Sequence, residues 1–225
     1  MRRIPVYFVP GLGANSLIFE FIKLPEDEFE CIYLEWELPQ EKDSITDYAM
    51  RMAKKIHHEH PVLIGVSLGG LMVQEMMKFL EPEKVIIISS AKSNKEYPRL
   101  FKFAKYTKIY KLVPTTLLIK MGALAKFPIF GRKINERLRL YKRYLGVKET
   151  RFWRWAIEQI MLWNRNEPDD RVIHIHGIKD EVFPAKRIKN FIPIDDGTHV
   201  MLIIRHKWLT EHLPKIIKDE NGKLN

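Results

Sequence analysis

A Gly-x-Ser-x-Gly pattern occupies positions 65–69, between a short apolar run and an apolar-rich stretch. The run at 61–66 predicts a buried strand, and the stretch at 71–80 predicts a helix. A serine at such a sharp strand-to-helix turn has a strained backbone, and Gly65 and Gly69 must be small because the strand end and the helix start approach closely. The turn lifts the hydroxyl of Ser67 clear of the sheet. The pattern predicts that Ser67 is a nucleophile; the alternative is a glycine-bearing loop without a chemical role.

Strand patterns and helix patterns alternate along most of the chain. Several of the strands are continuous apolar runs, which is typical of a parallel sheet covered by helices on both faces. Strands are predicted at 4–9, 30–36, 61–66, 84–88, 171–175 and 191–194, and helices at 16–23, 45–58, 71–80 and 200–218. The sequence therefore predicts an α/β fold with a mostly parallel, doubly wound sheet. Ligands of such sheets bind beyond the carboxyl ends of the strands, and Ser67 lies at one of those ends.

The segment from 92 to 168 departs from this alternation. It has a helical pattern throughout, and it carries the excess positive charge of the chain. Residues 92–167 hold 19 Lys and Arg against 5 Asp and Glu, a net charge of +14, whereas the rest of the chain carries a net charge of −4. We therefore expect a core domain formed by 1–91 and 169–225, and a basic, aromatic-rich helical insertion formed by 92–168.

A serine nucleophile requires a base, a group that orients the base, and donors for an oxyanion. The loop His176 to Pro184 follows a predicted strand, and the loop Asp196 to His199 precedes the last helix. With these loops and the Gly-x-Ser-x-Gly turn, nearly the whole chain outside the middle segment resembles the α/β-hydrolase superfamily. That family has the order serine, acid, histidine. The resemblance implies that Asp180 is the acid, that His199 is the base, and that 92–168 is a cap inserted over the site.

The same resemblance implies two backbone donors for the oxyanion. One is the amide of Leu68, directly after the nucleophile, and the other comes from the loop after the first strand, here Pro10-Gly11-Leu12-Gly13. Members of the family most often have His-Gly at this point, whereas this chain has Pro-Gly. Because the donor is a backbone amide, the role passes to Leu12 without a histidine side chain. A glycine turn with no catalytic task is the alternative interpretation.

Other acidic residues compete for the role of Asp180. Asp180 itself is also placed to cap the helix that follows, and the adjacent Glu181 is an alternative acid. Asp195 and Asp196 are closer to His199 in sequence, but residues adjacent on a strand end rarely fold back to meet the ring. We interpret these two as solvated or turn-forming.

The remaining histidines suggest structural roles. His57, His58 and His60 lie at a predicted helix end, where positive charge suits the helix dipole. His176 is expected to shape the acid loop. No metal and no organic cofactor is expected.

These residues imply an enzyme, a serine hydrolase acting on a carboxylic ester or thioester. His199 would take the proton of Ser67 as the hydroxyl attacks a carbonyl, and Asp180 would orient the ring. The amides of Leu12 and Leu68 would stabilise the oxyanion, and water would release the acyl-enzyme. An acyltransferase or lyase on the same scaffold, and a non-catalytic lipid- or membrane-binding protein, are the alternatives. The complete set of three side chains argues against the last of these.

Lysines alternate with large apolar residues in the first part of the middle segment, at Lys102, Lys105, Lys108 and Lys111. The apolar faces suit an acyl pocket, into which the cations would draw an anionic, acyl-bearing small molecule. Basic amphipathic helices also suit an anionic membrane surface. A third interpretation is a cap that packs on the core domain and whose lysines are only solvated. Nucleic acid is not an expected partner, because no reading motif accompanies the basic stretch.

The cysteine content and the lengths of the apolar runs allow a prediction of the cellular location. Cys31 is the only cysteine, so no internal disulfide is possible, and a cytoplasmic location is expected, with or without peripheral association with a membrane. The first apolar run, at 4–9, is too short for a signal peptide. No uninterrupted apolar run approaches the roughly 20 residues of a membrane helix.

Overall fold

Six parallel strands form one sheet in a computed structural model of the chain, which describes residues 3–116, Ile119 and 142–219. The order across the sheet is β2-β1-β3-β4-β5-β6. The direction of winding reverses between β1 and β3, so a ligand crevice is expected at their carboxyl ends. The strands are β1 (Ile4–Val9), β2 (Phe29–Tyr33), β3 (Val62–Val66), β4 (Lys84–Ile88), β5 (Val172–Gly177) and β6 (Ile192–Ile194).

Helices connect the strands and cover both faces of this sheet. They are α1 (Ile45–Ala53), α2 (Leu68–Met76), α3 (Arg99–Thr107), α4 (Thr150–Leu162), α5 (Met201–Ile204) and α6 (His206–Lys218). Short 3-10 turns lie at Ser16–Phe19, Asn94–Glu96, Ile109–Leu112 and Ala185–Arg187. The parallel sheet with helices on both sides confirms the predicted α/β architecture.

The core has two layers, one on each face of the sheet. Along β1, Tyr7 and Val9 face the layer that is closed by α1, α2 and α4, whereas Val6 and Phe8 face the layer that is closed by α6. This alternation follows the two-residue period of a strand. The strands read as continuous apolar runs in sequence because both of their faces are buried.

Several predicted boundaries were wrong. The strand predicted at 30–36 is Phe29–Tyr33, the helix predicted at 16–23 is one 3-10 turn, and the helix predicted at 71–80 already begins at Leu68 and ends at Met76. The helix predicted to run to 58 ends at Ala53, after which the chain turns so that the ring of His58 meets the hydroxyl of Tyr7 at 2.8 Å.

The helix predicted at 200–218 is two helices, α5 and α6. They meet at Arg205, whose φ of −120° and ψ of 20° lie outside the helical region. The guanidinium of Arg205 pairs with the carboxylate of Asp196 at 3.1 Å, which anchors the break to the loop that carries His199.

The predicted insertion at 92–168 is described only in part, because 117, 118 and 120–141 lie outside the described residues. Within the described part, α4 packs into the core layer that it shares with α1 and α2. It does so through three buried rings, those of Phe152, Trp153 and Trp155. The same stretch also makes one antiparallel bridge, between Ala14 and Leu145. The division into a core domain and a cap stays a prediction.

Candidate active site

Ser67 lies on the turn between β3 and α2, at the carboxyl end of β3. Its φ of 53° and ψ of −116° form a strained conformation that costs a residue with a side chain about 1–3 kcal/mol. The end of β4 holds this turn in place. The amide of Ser67 donates to the carbonyl of Ile88 at 3.0 Å, and the hydroxyl of Ser90 donates to the carbonyl of Ser67 at 2.8 Å. The strain is therefore maintained by hydrogen bonds on both sides of the serine.

Close backbone approach fixes the two glycines of the turn. A Cβ at Gly65 would lie 2.2 Å from the carbonyl oxygen of Gly69, and a Cβ at Gly69 would lie 2.2 Å from the carbonyl oxygen of Val9. No side chain fits at either position without displacing backbone. Gly11 differs, because a Cβ there would lie 3.6 Å from the Cβ of Ser67, an ordinary contact. The loop after β1 thus lies directly against the serine.

Three side chains from three different loops meet at this edge of the sheet. Nε2 of His199 lies 3.1 Å from Oγ of Ser67, and Nδ1 of the same ring lies 2.9 Å from Oδ2 of Asp180. The side chain of His199 is 25% exposed, whereas that of Asp180 is fully buried. The hydrogen bonds lead from the hydroxyl of the half-buried Ser67, through the imidazole of His199, to the buried carboxylate of Asp180. This is the geometry of a nucleophile, a base and an orienting acid.

The carboxylate of Asp180 is held from both sides. Its Oδ1 accepts hydrogen bonds from the amides of Val182 at 2.8 Å and Phe183 at 2.9 Å, while its Oδ2 faces His199. Burial raises the pKa of Asp180, but the hydrogen bond and charge interaction with His199, together with the Phe183 amide, outweigh burial and hold this pKa below its usual range. Asp180 is therefore ionised at neutral pH. Pro184, and not Asp180, is the N-cap of the 3-10 turn that follows.

Two buried histidines on β5 support the acid loop. Nε2 of His176 lies 2.8 Å from the carbonyl of Phe183, which only accepts, so this nitrogen carries the proton. Nδ1 of His176 then accepts from Nε2 of His174 at 3.1 Å. Burial lowers the pKa of both rings, most strongly for His174, so both are neutral at pH 7. The chain of hydrogen bonds ties the acid loop to the sheet, as the sequence suggested for His176.

The loop after β1 is held by a residue that the sequence analysis did not identify. Nε1 of Trp36 donates to the carbonyl of Gly11 at 2.8 Å, and the amide of Ala14 donates to the same carbonyl at 3.1 Å. Leu12, the predicted donor of one oxyanion amide, follows Gly11 directly. Leu68, the other predicted donor, is the first residue of α2, where backbone amides have no partner within the helix.

The competing acidic residues lie away from the imidazole. Asp196, with a φ of 57°, forms ion pairs with Lys179 at 2.6 Å and Arg205 at 3.1 Å, as expected for a turn residue on the surface. The side chain of Glu181 is exposed. Asp180 is thus the acid that contacts His199.

The histidine cluster after α1 is engaged in structural contacts. Nδ1 of His58 is hydrogen-bonded to the hydroxyl of Tyr7, and Nδ1 of His60 to the carbonyl of Glu81. Within the part of the chain that the structure describes, no group of three or more His, Cys, Asp or Glu is arranged to hold a metal ion.

Aromatic rings border the site next to His199. The ring centroid of Phe183 lies 5.9 Å from that of His199, and the rings of Tyr97 and Phe101 each lie 5.8 Å from Phe183. Phe101 belongs to α3. The first helix of the middle segment is therefore connected to the imidazole of His199 through one intervening ring, that of Phe183. This apolar side of the site was not predicted residue by residue, because its members are far apart in sequence.

Comparison with known proteins shows similarity in structure. No protein-family model and no curated protein matches the chain. Among solved structures, a bromoperoxidase from Bacillus anthracis aligns with a TM-score of 0.70 at 16% identity, covering 97% of this chain and 93% of that one. A thermophilic esterase from Thermogutta terrifontis aligns with a TM-score of 0.67 at 14% identity, covering 97% and 90%. The putative non-heme bromoperoxidase BpoC from Mycobacterium tuberculosis H37Rv gives 0.67 at 17% identity, covering 97% and 94%.

The chain therefore has the α/β-hydrolase fold. The likeness extends over nearly the full length of these structures. In the described ranges, no helix is both long enough and apolar enough to cross a membrane.

Proposed function

We propose that the protein is a serine hydrolase that cleaves carboxylic esters or thioesters through an acyl-enzyme. The observation that carries this proposal is the placement of the His199 ring between the hydroxyl of Ser67 and the buried carboxylate of Asp180, at 3.1 Å and 2.9 Å. In the proposed reaction Nε2 of His199 takes the proton of Ser67 as Oγ attacks the carbonyl. Asp180 holds the proton on Nδ1 and stabilises the imidazolium. His199 then protonates the leaving group, and water repeats the sequence to release the acid.

The proposed oxyanion hole consists of the amides of Leu12 and Leu68. Leu68 supports this role because its amide is at the N-terminus of α2, which favours negative charge. Leu12 supports it because the adjacent Gly11 lies against Ser67. In comparable sites one such donor is worth roughly 2.7–4 kcal/mol of transition-state stabilisation.

The proposed substrate is apolar on its acyl side. Phe183 borders His199, and Tyr97 and Phe101 pack against Phe183. Phe183 and Tyr97 are buried, each 3% exposed. Among the described residues, the buried hydroxyl of Tyr97 has no hydrogen-bond partner, and burial raises its pKa, so this ring makes the surroundings of Phe183 apolar. We infer a substrate whose acyl part is apolar and lies beside Phe183, next to His199.

A chain-length series of nitrophenyl esters, from acetate to palmitate, tests this function. We expect wild type to hydrolyse members of the series and Ser67→Ala to lose at least about 10³-fold in kcat. Ser44→Ala is a matched control, because it removes a serine hydroxyl that caps α1 and contacts Asp47. If wild type cleaves none of the esters, or if Ser67→Ala retains full activity, the proposal is wrong.

The identity of the acceptor is tested in the same assay. An acyltransferase would pass the acyl group to an added alcohol or amine in preference to water. We expect the free acid to remain the main product when such acceptors are present.

A further inference from the structure

The outward face of α3 exposes large apolar side chains. All nine residues of α3 are at least partly exposed, and Leu100, Phe103 and Tyr106 are 70%, 58% and 89% exposed. Leu112, in the 3-10 turn that follows, is 79% exposed. Single exposed apolar residues are ordinary on protein surfaces. Four large ones within 13 residues form a patch of the kind that marks an interaction site.

Cations are interleaved with these apolar side chains. Arg99, Lys102, Lys105 and Lys108 are on or next to α3, and the sequence contains no Asp or Glu from 97 to 135. Lys111 differs, since it pairs with Glu158 at 3.5 Å. Apolar side chains that insert below lipid headgroups, flanked by cations that meet the headgroup charge, are what an anionic bilayer selects.

We propose that this α3 surface, formed by Leu100, Lys102, Phe103, Lys105, Tyr106 and Leu112, docks on anionic phospholipid membranes. The opposite face of α3 points toward the site, since Phe101 contacts Phe183 and Phe183 contacts His199. Docking therefore brings the bilayer close to the candidate active site. The binding itself does not depend on the proposed hydrolase activity.

Vesicle flotation of the full chain tests the proposal. The two probes are vesicles of phosphatidylcholine alone and vesicles with about one third phosphatidylglycerol. We expect binding to the anionic vesicles only, and at least about tenfold weaker binding for Lys102→Glu/Lys105→Glu, because each lysine near the surface contributes about fivefold. The matched control is Lys54→Glu/Lys207→Glu, which makes the same charge change at exposed positions on α1's end and α6.

A second variant separates insertion from charge attraction. Phe103→Ser/Tyr106→Ser keeps every lysine, and we expect it to lose anionic vesicle binding at raised salt, where electrostatic attraction is screened. Equal binding by wild type and Lys102→Glu/Lys105→Glu would overturn the proposal, as would equal weakening by Lys54→Glu/Lys207→Glu. Binding in a Ser67→Ala background distinguishes this result from any failure of the proposed activity.

Trp36 orients the peptide bond between Gly11 and Leu12. In a trans peptide the N–H points opposite to the preceding C=O. Because Trp36 holds the carbonyl of Gly11 at 2.8 Å, it also fixes the direction of the Leu12 amide, which points away from the indole. Trp36 is 7% exposed, so this hydrogen bond is shielded from water.

We infer that Trp36 is a positioning residue for the oxyanion hole, an inference that rests on the proposed function. It supplies the loop with an anchor where the resembled family most often has a histidine after β1. The test compares Trp36→Phe with Trp155→Phe. Each variant removes one buried indole donor to a backbone carbonyl in the same core layer, since Trp155 donates to the carbonyl of Asp43 at 2.9 Å.

We expect Trp36→Phe to lower kcat about tenfold with KM within about twofold, a part of the 10²–10³-fold that a whole donor supplies. Trp155→Phe is expected to keep kcat. The amide resonance of Leu12 in an NMR spectrum should shift in Trp36→Phe only, whether or not the protein is active on the ester used. An unmoved Leu12 resonance, or an equal loss of kcat in both variants, would contradict the inference.

Discussion

The carboxylate of Asp180 is fully buried, and its Oδ2 lies 2.9 Å from Nδ1 of His199. This contact spans 19 residues of sequence and joins the loop after β5 to the loop after β6. A carboxylate in this position fixes the tautomer of the ring, because only an Nδ1 that carries a proton donates to it. Nε2 is then left as an acceptor toward Ser67, which is the state that a general base requires.

Replacing Asp180 by Asn tests this relationship. The amide side chain keeps an oxygen for the loop amides of Val182 and Phe183, but it no longer holds His199 in the required tautomer. We expect kcat to fall about 10⁴-fold. The unfolding temperature should fall as well, because the contacts that lower the pKa of Asp180 stabilise its ionised form in the folded protein. The measurement is ester hydrolysis together with circular dichroism melting. The matched control is Glu181→Gln, an exposed neighbour, which should keep wild-type kcat. A larger loss in Glu181→Gln than in Asp180→Asn would make Glu181 the acid.

Substituting alanine for Gly65 and for Gly11 is expected to change the stability of the protein by very different amounts, because the space at the two glycines differs. Gly65→Ala places a Cβ 2.2 Å from a backbone oxygen that cannot move independently of α2, so we expect a loss of about 3 kcal/mol or more in the free energy of unfolding. Gly11→Ala makes only a contact of 3.6 Å, so we expect its unfolding free energy to stay within about 0.5 kcal/mol of wild type. Urea unfolding of both variants measures this difference, and equal stability of the two would show that the approach at the turn is not tight.

The ion pair between Asp43 and Arg51 predicts a pH dependence of stability. Both oxygens of Asp43 accept from the guanidinium, at 2.7 Å and 2.6 Å, and Asp43 is 9% exposed. Burial raises the pKa of Asp43, but the hydrogen bonds from Arg51 and the amide of Gln40 lower it further, to a value below its usual range. A lowered pKa means that the stabilisation is present above the unfolded value of about 3.9 and is lost as pH falls through the folded value.

Unfolding free energies of wild type and Asp43→Asn therefore converge in acid. We expect a difference of about 1–3 kcal/mol at pH 7, which shrinks below about pH 4. The control is Glu37→Gln, which breaks an exposed ion pair with Lys55 and should cost less than about 1 kcal/mol at any pH. A difference for Asp43→Asn that does not change with pH would rule out the ion pair as its source.

Secondary-structure elements could be predicted from the sequence where the local pattern of apolar residues agrees with their burial in the structure. β4 was predicted at 84–88 and is Lys84–Ile88, because its apolar run is buried on both faces and has clear ends. The candidate acid and base were predicted from the resemblance to the α/β-hydrolase superfamily. They follow β5 and β6, and the carboxyl ends of parallel strands lie at one edge of the sheet. The structure brings His199 to Ser67 and Asp180 to His199, and the catalytic roles of the three residues stay predictions.

Contacts between distant segments could not be predicted. Trp36 is a large apolar residue in a strand pattern, and nothing local indicates that its indole donates to a carbonyl 25 residues earlier. The break at Arg205 was missed for the same reason, since the periodicity of 200–218 is helical throughout and the interruption depends on the pairing of Arg205 with Asp196. Tertiary contacts decide such details against local propensity.

Covalent labelling by a fluorophosphonate tests whether Ser67 is an activated nucleophile, because the reagent reports such a serine whatever the natural substrate is. Intact mass and peptide mapping measure the number of adducts and their position. We expect one adduct per chain, on Ser67, which is absent from Ser67→Ala and forms much more slowly in His199→Ala. No adduct on the folded protein, or an adduct on another serine that persists in Ser67→Ala, would contradict this expectation.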